Sequence, residues 1–185
     1  VKRDLVAGET HVLQFGLNAG ELLEALVEQQ GVDVAVTLVD PEGVAALEVD
    51  TKSDPTRVER MPWAGRASGT HSISLRAAPN RPSGSYRIVL DPPRPATSGD
   101  GKRVSAQRDY EQAVRLGRGL GEGQGTPQGR PEALRRLESA LGAFRSEGDR
   151  RGEGEALEEI AGLHALVNRQ AQALSSAEQA LAIYR

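Results

Sequence analysis

Three sets of residues in this 185-residue chain have types that chemistry uses. His11 and His71 sit in matching settings, Gly8-Glu9-Thr10-His11 and Ser68-Gly69-Thr70-His71, and the match predicts that both open strands and meet on one edge. Two imidazoles fall short of a zinc site, which takes three or four protein ligands. Asp33, Asp40, Glu42, Asp50 and Asp54 crowd around one turn and have the oxygen chemistry of calcium. Their spacing matches no EF-hand loop, and Asp40-Pro41-Glu42-Gly43 explains two of them as turn formers. The glycine run GRGLGEGQGTPQG at 117–129 lacks the lysine and the strand-to-helix setting of a phosphate loop, so it reads as a connection between helices. There is no cysteine to act as a nucleophile, and no serine stands in a triad motif. No catalytic residue, metal site or cofactor is expected.

The remaining chemistry is that of surfaces. A net charge of -3 lacks the basic footprint of a nucleic-acid binder, and with 3% aromatic residues a base-stacking platform is not expected either. No apolar run approaches the ~18 residues of a membrane span. Val1 is not an initiator methionine, so the chain reads as an excerpt and its compartment, exported or cytoplasmic, stays open.

The elements that position these residues change period along the chain. Between residues 10 and 90 apolar residues alternate, as in Leu13, Phe15, Leu17 and in Val34, Val36, Leu38, with turn signals between the runs. Period two with these turn signals predicts about seven half-buried strands in an antiparallel β-sandwich over 1–92, and a jelly-roll-like form is expected of it. ELLEALVEQQ at 21–30 has helical spacing and helix-forming residues. Its place between strand-like runs nevertheless predicts a strand. DPPRPATSGDG, rich in proline, predicts a linker over 93–101 that continues neither sheet nor helix. From 102 to 185 the period becomes 3.6, which predicts about four helices.

The helical half repeats itself. EALRRLESALGAFR at 132–145 and QALSSAEQALAIYR at 172–185 are identical at Ala133/Ala173, Leu134/Leu174, Glu138/Glu178, Ala140/Ala180, Leu141/Leu181 and Arg145/Arg185, and pair Phe144 with Tyr184. Residues 157–180 carry the spacing L-x-x-I-A-x-x-H-x(8)-A-x(3)-A-x-x-A, placing Leu157, Ile160, Ala161, His164, Ala173, Ala177 and Ala180 at packing positions. With SEGDRRGEGEAL between the helices, this resembles the extended tetratricopeptide (TPR) repeats of bacteria and implies an α-helical solenoid. AGETHVLQFGLNAGELLEALVEQQGVDVAVTLVDPEG, ASGTHSISLRA and GSYRIVL resemble the pre-peptidase-type (PPC-like) β-sandwich that precedes such repeats. In proteins of that kind a caspase-like protease domain, called CHAT, often follows.

The resemblance implies a non-catalytic protein–protein interaction region. Glu155, Glu158, Gly162 and Ala165 lie off the packing stripe and, by resemblance, face a groove that holds a protein or peptide partner; a merely solvated face fits the same pattern. The alternative is a carbohydrate- or surface-binding sandwich with the helices as a stalk, for which Trp63 is the candidate aromatic. A third expectation concerns the edge of the array. Leu174, Leu181, Ile183 and Tyr184 are too apolar for a solvated cap, so a further helix is expected beyond Arg185 and self-association is expected without it.

Overall fold

A computed structural model describes residues 1–49, 58–118 and 129–185. Asp50 and Asp54 of the acidic cluster, and most of the glycine run, lie outside the described residues. The described chain divides into two compact units, Val1–Asp100 and Gly101–Arg185.

The first unit is antiparallel throughout. Its strands are β1 (Lys2–Leu5), β2 (Thr10–Leu17), β3 (Glu21–Gln30), β4 (Val34–Val39), β5 (Ala45–Val49), β6 (Val58–Ala64), β7 (Gly69–Ala77), β8 (Gly84–Leu90) and β9 (Arg94–Pro95). One sheet runs β1-β8-β3-β6 with β9 added on β3; the other runs β2-β7-β4-β5. The first strand thus pairs with the eighth, the second with the seventh, the third with the sixth and the fourth with the fifth. This is a rolled-up hairpin, the connectivity of jelly rolls. Alternate residues meet in one core that includes Leu17, Leu23, Val27, Val36, Leu38, Met61, Ile73, Leu75 and Tyr86.

The segment 21–30 is strand β3, as its neighbours predict. A spacing of four is also an even multiple of the strand period, which is why its apolar residues fit both patterns. Leu22 and Leu26 share one face of β3, while Leu23, Ala25, Val27 and Gln29 share the other and are all buried. Gln29 carries its amide into the interior with partners in place, its Oε1 accepting the Val34 amide at 2.9 Å. The Asp40 turn is closed by its own side chain, because the Asp40 carboxylate accepts the amides of Glu42 at 3.0 Å and Val44 at 2.8 Å. Gly43 completes that turn at φ +80, a left-handed conformation that favours glycine.

Two sequence expectations are corrected. Nine strands, not seven, are formed among the described residues. The expected linker 93–101 is also largely structured: Arg94–Pro95 pairs with Glu21–Leu22, and a helix begins at Ser98. Proline is compatible with a strand at a sheet margin, where the N–H it lacks is not needed.

The second unit holds the helical residues. Helix α1 (Ser98–Arg118) starts in the first unit and continues here, followed by α2 (Gly129–Ser146), α3 (Arg150–Leu166) and α4 (Gln170–Tyr184). Ala113, Val114, Ala133, Leu137, Phe144, Leu157 and Ile160 share its core. Asp109–Arg136 ties α1 to α2 and Lys102–Glu147 ties α1 to the turn that follows α2, each at 3.0 Å. Both helix reversals use one device. After α2 the Asp149 amide reaches the Phe144 carbonyl at 2.9 Å and Gly148 takes φ +68; after α3 the Arg169 amide reaches His164 at 2.9 Å and Asn168 takes φ 59. These are left-handed C-terminal caps that satisfy orphan carbonyls. Asp149 then starts α3 by accepting the Gly152 amide at 3.0 Å.

Candidate interaction site

Helix α3 is the element on which the site depends, because α2 and α4 both pack against it. It accommodates them with glycines. A methyl group added to Gly152 would lie 2.7 Å from the Phe144 ring of α2, and one added to Gly154 would lie 2.8 Å from the Tyr184 ring of α4. The two aromatics that match in the sequence repeat therefore rest on two glycines of one helix. Arg145 of α2 adds a hydrogen bond to Glu153 of α3 at 2.9 Å and one to Gln179 of α4 at 3.0 Å.

Leu157, Ile160 and His164 are buried, Ala161 and Ala173 are half-buried, and Ala180 is buried. Ala177 is not a packing residue. The buried stripe of α4 runs through Ser176 and Ala180 with Ile183 beside it, and Ala177, one residue on from Ser176, is carried about 100° around the axis into solvent. His164 lines crevices with Leu134, Glu138 and Leu163 on one side and with Leu141, Ser175 and Gln179 on the other. Its Nδ1 is buried and has no hydrogen-bond partner among the described residues.

The other four expected residues lie elsewhere on α3. Glu158, Gly162 and Ala165 are exposed, and Glu155 is half-buried and paired with Arg151 at 3.0 Å. They follow at spacings of three, four and three residues, which places them on one face about 150° around the helix from Leu157, Ile160 and His164. A methyl group added to Gly162 would meet nothing within 4 Å. This face is open, with small residues beside carboxylates.

The outward face of α4 is also uncovered. Leu174 is 62% exposed, Leu181 49% and Tyr184 53%, whereas Ile183 is partly buried. Their equivalents in α2 contrast with them, since Leu141 and Phe144 are buried.

The sandwich histidines do not meet. His11 stands opposite Leu75, and His71 opposite Phe15, so they face the same side of the sheet four positions apart, about 13 Å along the strand. Each has its own surroundings. His11 bridges the Tyr86 hydroxyl at 3.1 Å and Glu9 at 3.2 Å. The Val6 amide and the His11 ring hold the Glu9 carboxyl below the ordinary carboxylate range, while burial pushes the Tyr86 hydroxyl up. His71 is fully buried, stacks on Phe15 at 5.6 Å and leaves Nε2 without a hydrogen bond among the described residues. Among the described residues no group of three or more potential ligands comes together for a metal. Trp63 is 2% exposed and Tyr86 is fully buried, so neither offers a face to a sugar ring.

Sequence reasoning passed over one constellation. Thr97-Ser98-Gly99-Asp100 has the pattern of a capping box, and it forms one: the Asp100 amide donates to Thr97 Oγ1 at 3.3 Å and the Thr97 amide donates to Asp100 Oδ2 at 2.9 Å. Arg94 adds a two-pronged contact, Nη1 to Oδ2 at 2.7 Å and Nη2 to Oδ1 at 2.8 Å. Led by the Arg94 hydrogen bond, these donors hold the Asp100 carboxyl well below the usual carboxylate range. The readable signal was threonine followed three residues later by aspartate, inside a stretch whose prolines suggested a linker.

A jelly-roll β unit followed in sequence by an antiparallel helical unit is the class that the architecture defines. No family model matches the chain, and no curated protein matches it. Among solved structures, the pre-peptidase C-terminal domain of a collagenase from Bacillus anthracis is similar over 49% of this chain and 86% of its own, with 14% identity and a TM-score of 0.40. PliG, a periplasmic inhibitor of g-type lysozyme from Aeromonas hydrophila, is similar over 49% of this chain and 83% of its own, with 13% identity and a TM-score of 0.37. No helix among the described residues is long and apolar enough to cross a membrane.

Proposed function

We propose that this chain is a non-catalytic protein–protein interaction region, made of a pre-peptidase-type sandwich and a tetratricopeptide-like array that holds a segment of a partner protein. In the same reading it is the recruiting or regulatory part of a larger CHAT-type protease. The observation that carries the proposal is the two-sidedness of α3 from Leu157 onward: the arc bearing Leu157, Ile160, Leu163 and His164 is buried, and the opposite arc presents Glu158, Gly162 and Ala165 to solvent. Small residues on an open helix face admit a peptide backbone, and the carboxylates favour a segment bearing lysine or arginine. The outward face of α4, with Leu174, Leu181 and Tyr184, is the second contact of the array and a route to self-association. The carbohydrate-binding alternative is disfavoured by the burial of Trp63.

Selection from a displayed random-peptide library tests the groove. Peptides retained by the chain are expected to be rich in basic residues and to lose at least about tenfold in affinity against Gly162→Arg, a loss of about 1.4 kcal/mol. Gly162 has open space, so the substitution leaves the packing of α3 intact. Retained peptides that bind the variant equally well, or a selection that yields none, would remove the groove from the proposal.

A further inference from the structure

A sheet edge is a row of unpaired backbone donors and acceptors, and proteins blunt it with charge, proline, bulges or brevity. Among the described residues, three of the edges formed by β1, β2, β5 and β6 are blunted. β1 is four residues long and carries Lys2, Arg3 and Asp4. β5 is five residues long, contains Glu48, and pairs across an irregularity at Leu38/Val39. β6 contains Glu59, Arg60 and Pro62. The fourth edge has none of these devices. β2, Thr-His-Val-Leu-Gln-Phe-Gly-Leu, runs eight residues without an acidic or basic side chain other than His11, has no proline, and keeps unbroken register with β7 from Thr10↔Arg76 to Leu17↔Gly69.

The direction of its unused groups follows from one bond. The Ala77 amide donates to the Glu9 carbonyl at 2.9 Å, which makes Glu9 and Ala77 a hydrogen-bonded pair. In an antiparallel ladder such pairs alternate, so the odd-numbered residues His11, Leu13 and Phe15 turn their backbone groups toward β7. Thr10, Val12, Gln14 and Gly16 therefore turn theirs to the open edge. No strand among the described residues pairs with that edge. Val12 is 57% exposed, so an apolar side chain accompanies the open backbone.

We propose that β2 is a self-pairing edge that joins antiparallel to β2 of a second copy of this chain. The occupant is argued from the side chains that self-pairing brings together. With Leu13 on a two-fold axis, Thr10 meets Gly16 of the second copy and Val12 meets its Gln14, and all four outward-directed residues find partners. The register forms about eight backbone hydrogen bonds; a shift by two residues leaves some unmade. The outward side chains it juxtaposes are uncharged, so no like charges oppose one another. On the inner face, His11 comes opposite Phe15 of the second copy, repeating the histidine–phenylalanine pairing that Phe15 already makes with His71. The product is one sheet continuous through two copies, an isologous contact that closes on itself. It involves no residue of α3 or α4, so it stands or falls apart from the groove proposed above.

Light scattering on the size-separated chain is the test, with far-ultraviolet circular dichroism as a check on folding. The unsubstituted chain is expected to double in mass as its concentration rises. Val12→Lys places a charge on the exposed face, and Gln14→Pro removes a donor that points away from β7; both should halve the mass at unchanged ellipticity. Leu181→Glu, on the outward face of α4, should leave the dimer intact. The chain has no cysteine, so Leu13→Cys introduces a single thiol at the axis, where facing Cα atoms about 4.5 Å apart permit a disulfide. That variant should convert to a covalent dimer on mild oxidation. The proposal is overturned by a monomer at every concentration, by a dimer that survives both β2 substitutions, by one lost only in Leu181→Glu, or by a Leu13→Cys dimer that stays uncrosslinked.

Discussion

Asp100 takes part in five hydrogen bonds with Thr97 and Arg94, and the four that end on its carboxylate hold the ionised form. Because its folded carboxyl titrates below the ordinary range, the stabilisation is present above that range and lost as pH falls through the folded value. Asp100→Asn is expected to cost about 2 kcal/mol at neutral pH, since a charged, buried acceptor is replaced by an amide with mismatched donors. The gap between variant and parent should shrink in acid. Urea unfolding followed by Trp63 fluorescence at neutral and acidic pH measures both, and a gap that is constant with pH would show that the charge is not the source. The constellation was legible as threonine and aspartate at capping spacing. Arg94 was not, because nothing local says that a side chain six residues back will turn toward the same carboxylate.

Among the elements, α3 permits a comparison of three glycines in one helix. Replacing an interior glycine by alanine gains about 1 kcal/mol from backbone entropy alone. At Gly162 nothing opposes that gain, so Gly162→Ala should stabilise. At Gly152 the new methyl group meets Phe144, which is 1% exposed and cannot move, so overpacking at about 1–3 kcal/mol should outweigh the gain. At Gly154 the neighbour is the outer edge of the Tyr184 ring, which is 53% exposed where Phe144 is buried, so the cost should be smaller than at Gly152. Thermal unfolding monitored at the helical band ranks the three, and equal effects at Gly152 and Gly162 would refute the packing argument. Element types were largely readable: β3 was placed by its neighbours, and the repeat placed α2 and α4. Ala177 shows where reading stopped, since a run as small and apolar as SSAEQALA does not reveal which side of α4 turns inward. Phe144 and Tyr184 were visible as a matched pair, but the glycines beneath them are marked only by contacts made in three dimensions.

The whole molecule joins two units whose contacts differ in reach. In the second unit α2 packs on α3 and α3 on α4, so neighbours in space are neighbours in sequence. The first unit pairs its ends, with Lys2 opposite Arg87 and Leu5 opposite Gly84, around progressively shorter loops down to β4 and β5. Net charge, absent cysteine and the change of period made two kinds of unit legible, but the meeting of first and eighth strands was not, because sequence period reports which face is buried and not which strand lies alongside.

That nested pairing gives the molecule an order of assembly in time. A short hairpin at β4 and β5 closes at small entropic cost, and each outer pair must draw in a longer loop, leaving the terminal strand to dock last. Helical signal is therefore expected to recover before the fluorescence of Trp63, the one tryptophan, which is buried in the first unit's core. Stopped-flow refolding by the two probes reads the interval directly, and coincident traces would mean that the units acquire structure together. During that interval β2 has no β7 beside it, and both of its edges are open to another chain. Refolding yield should accordingly fall with protein concentration, most steeply while the helices are already formed and the roll is not.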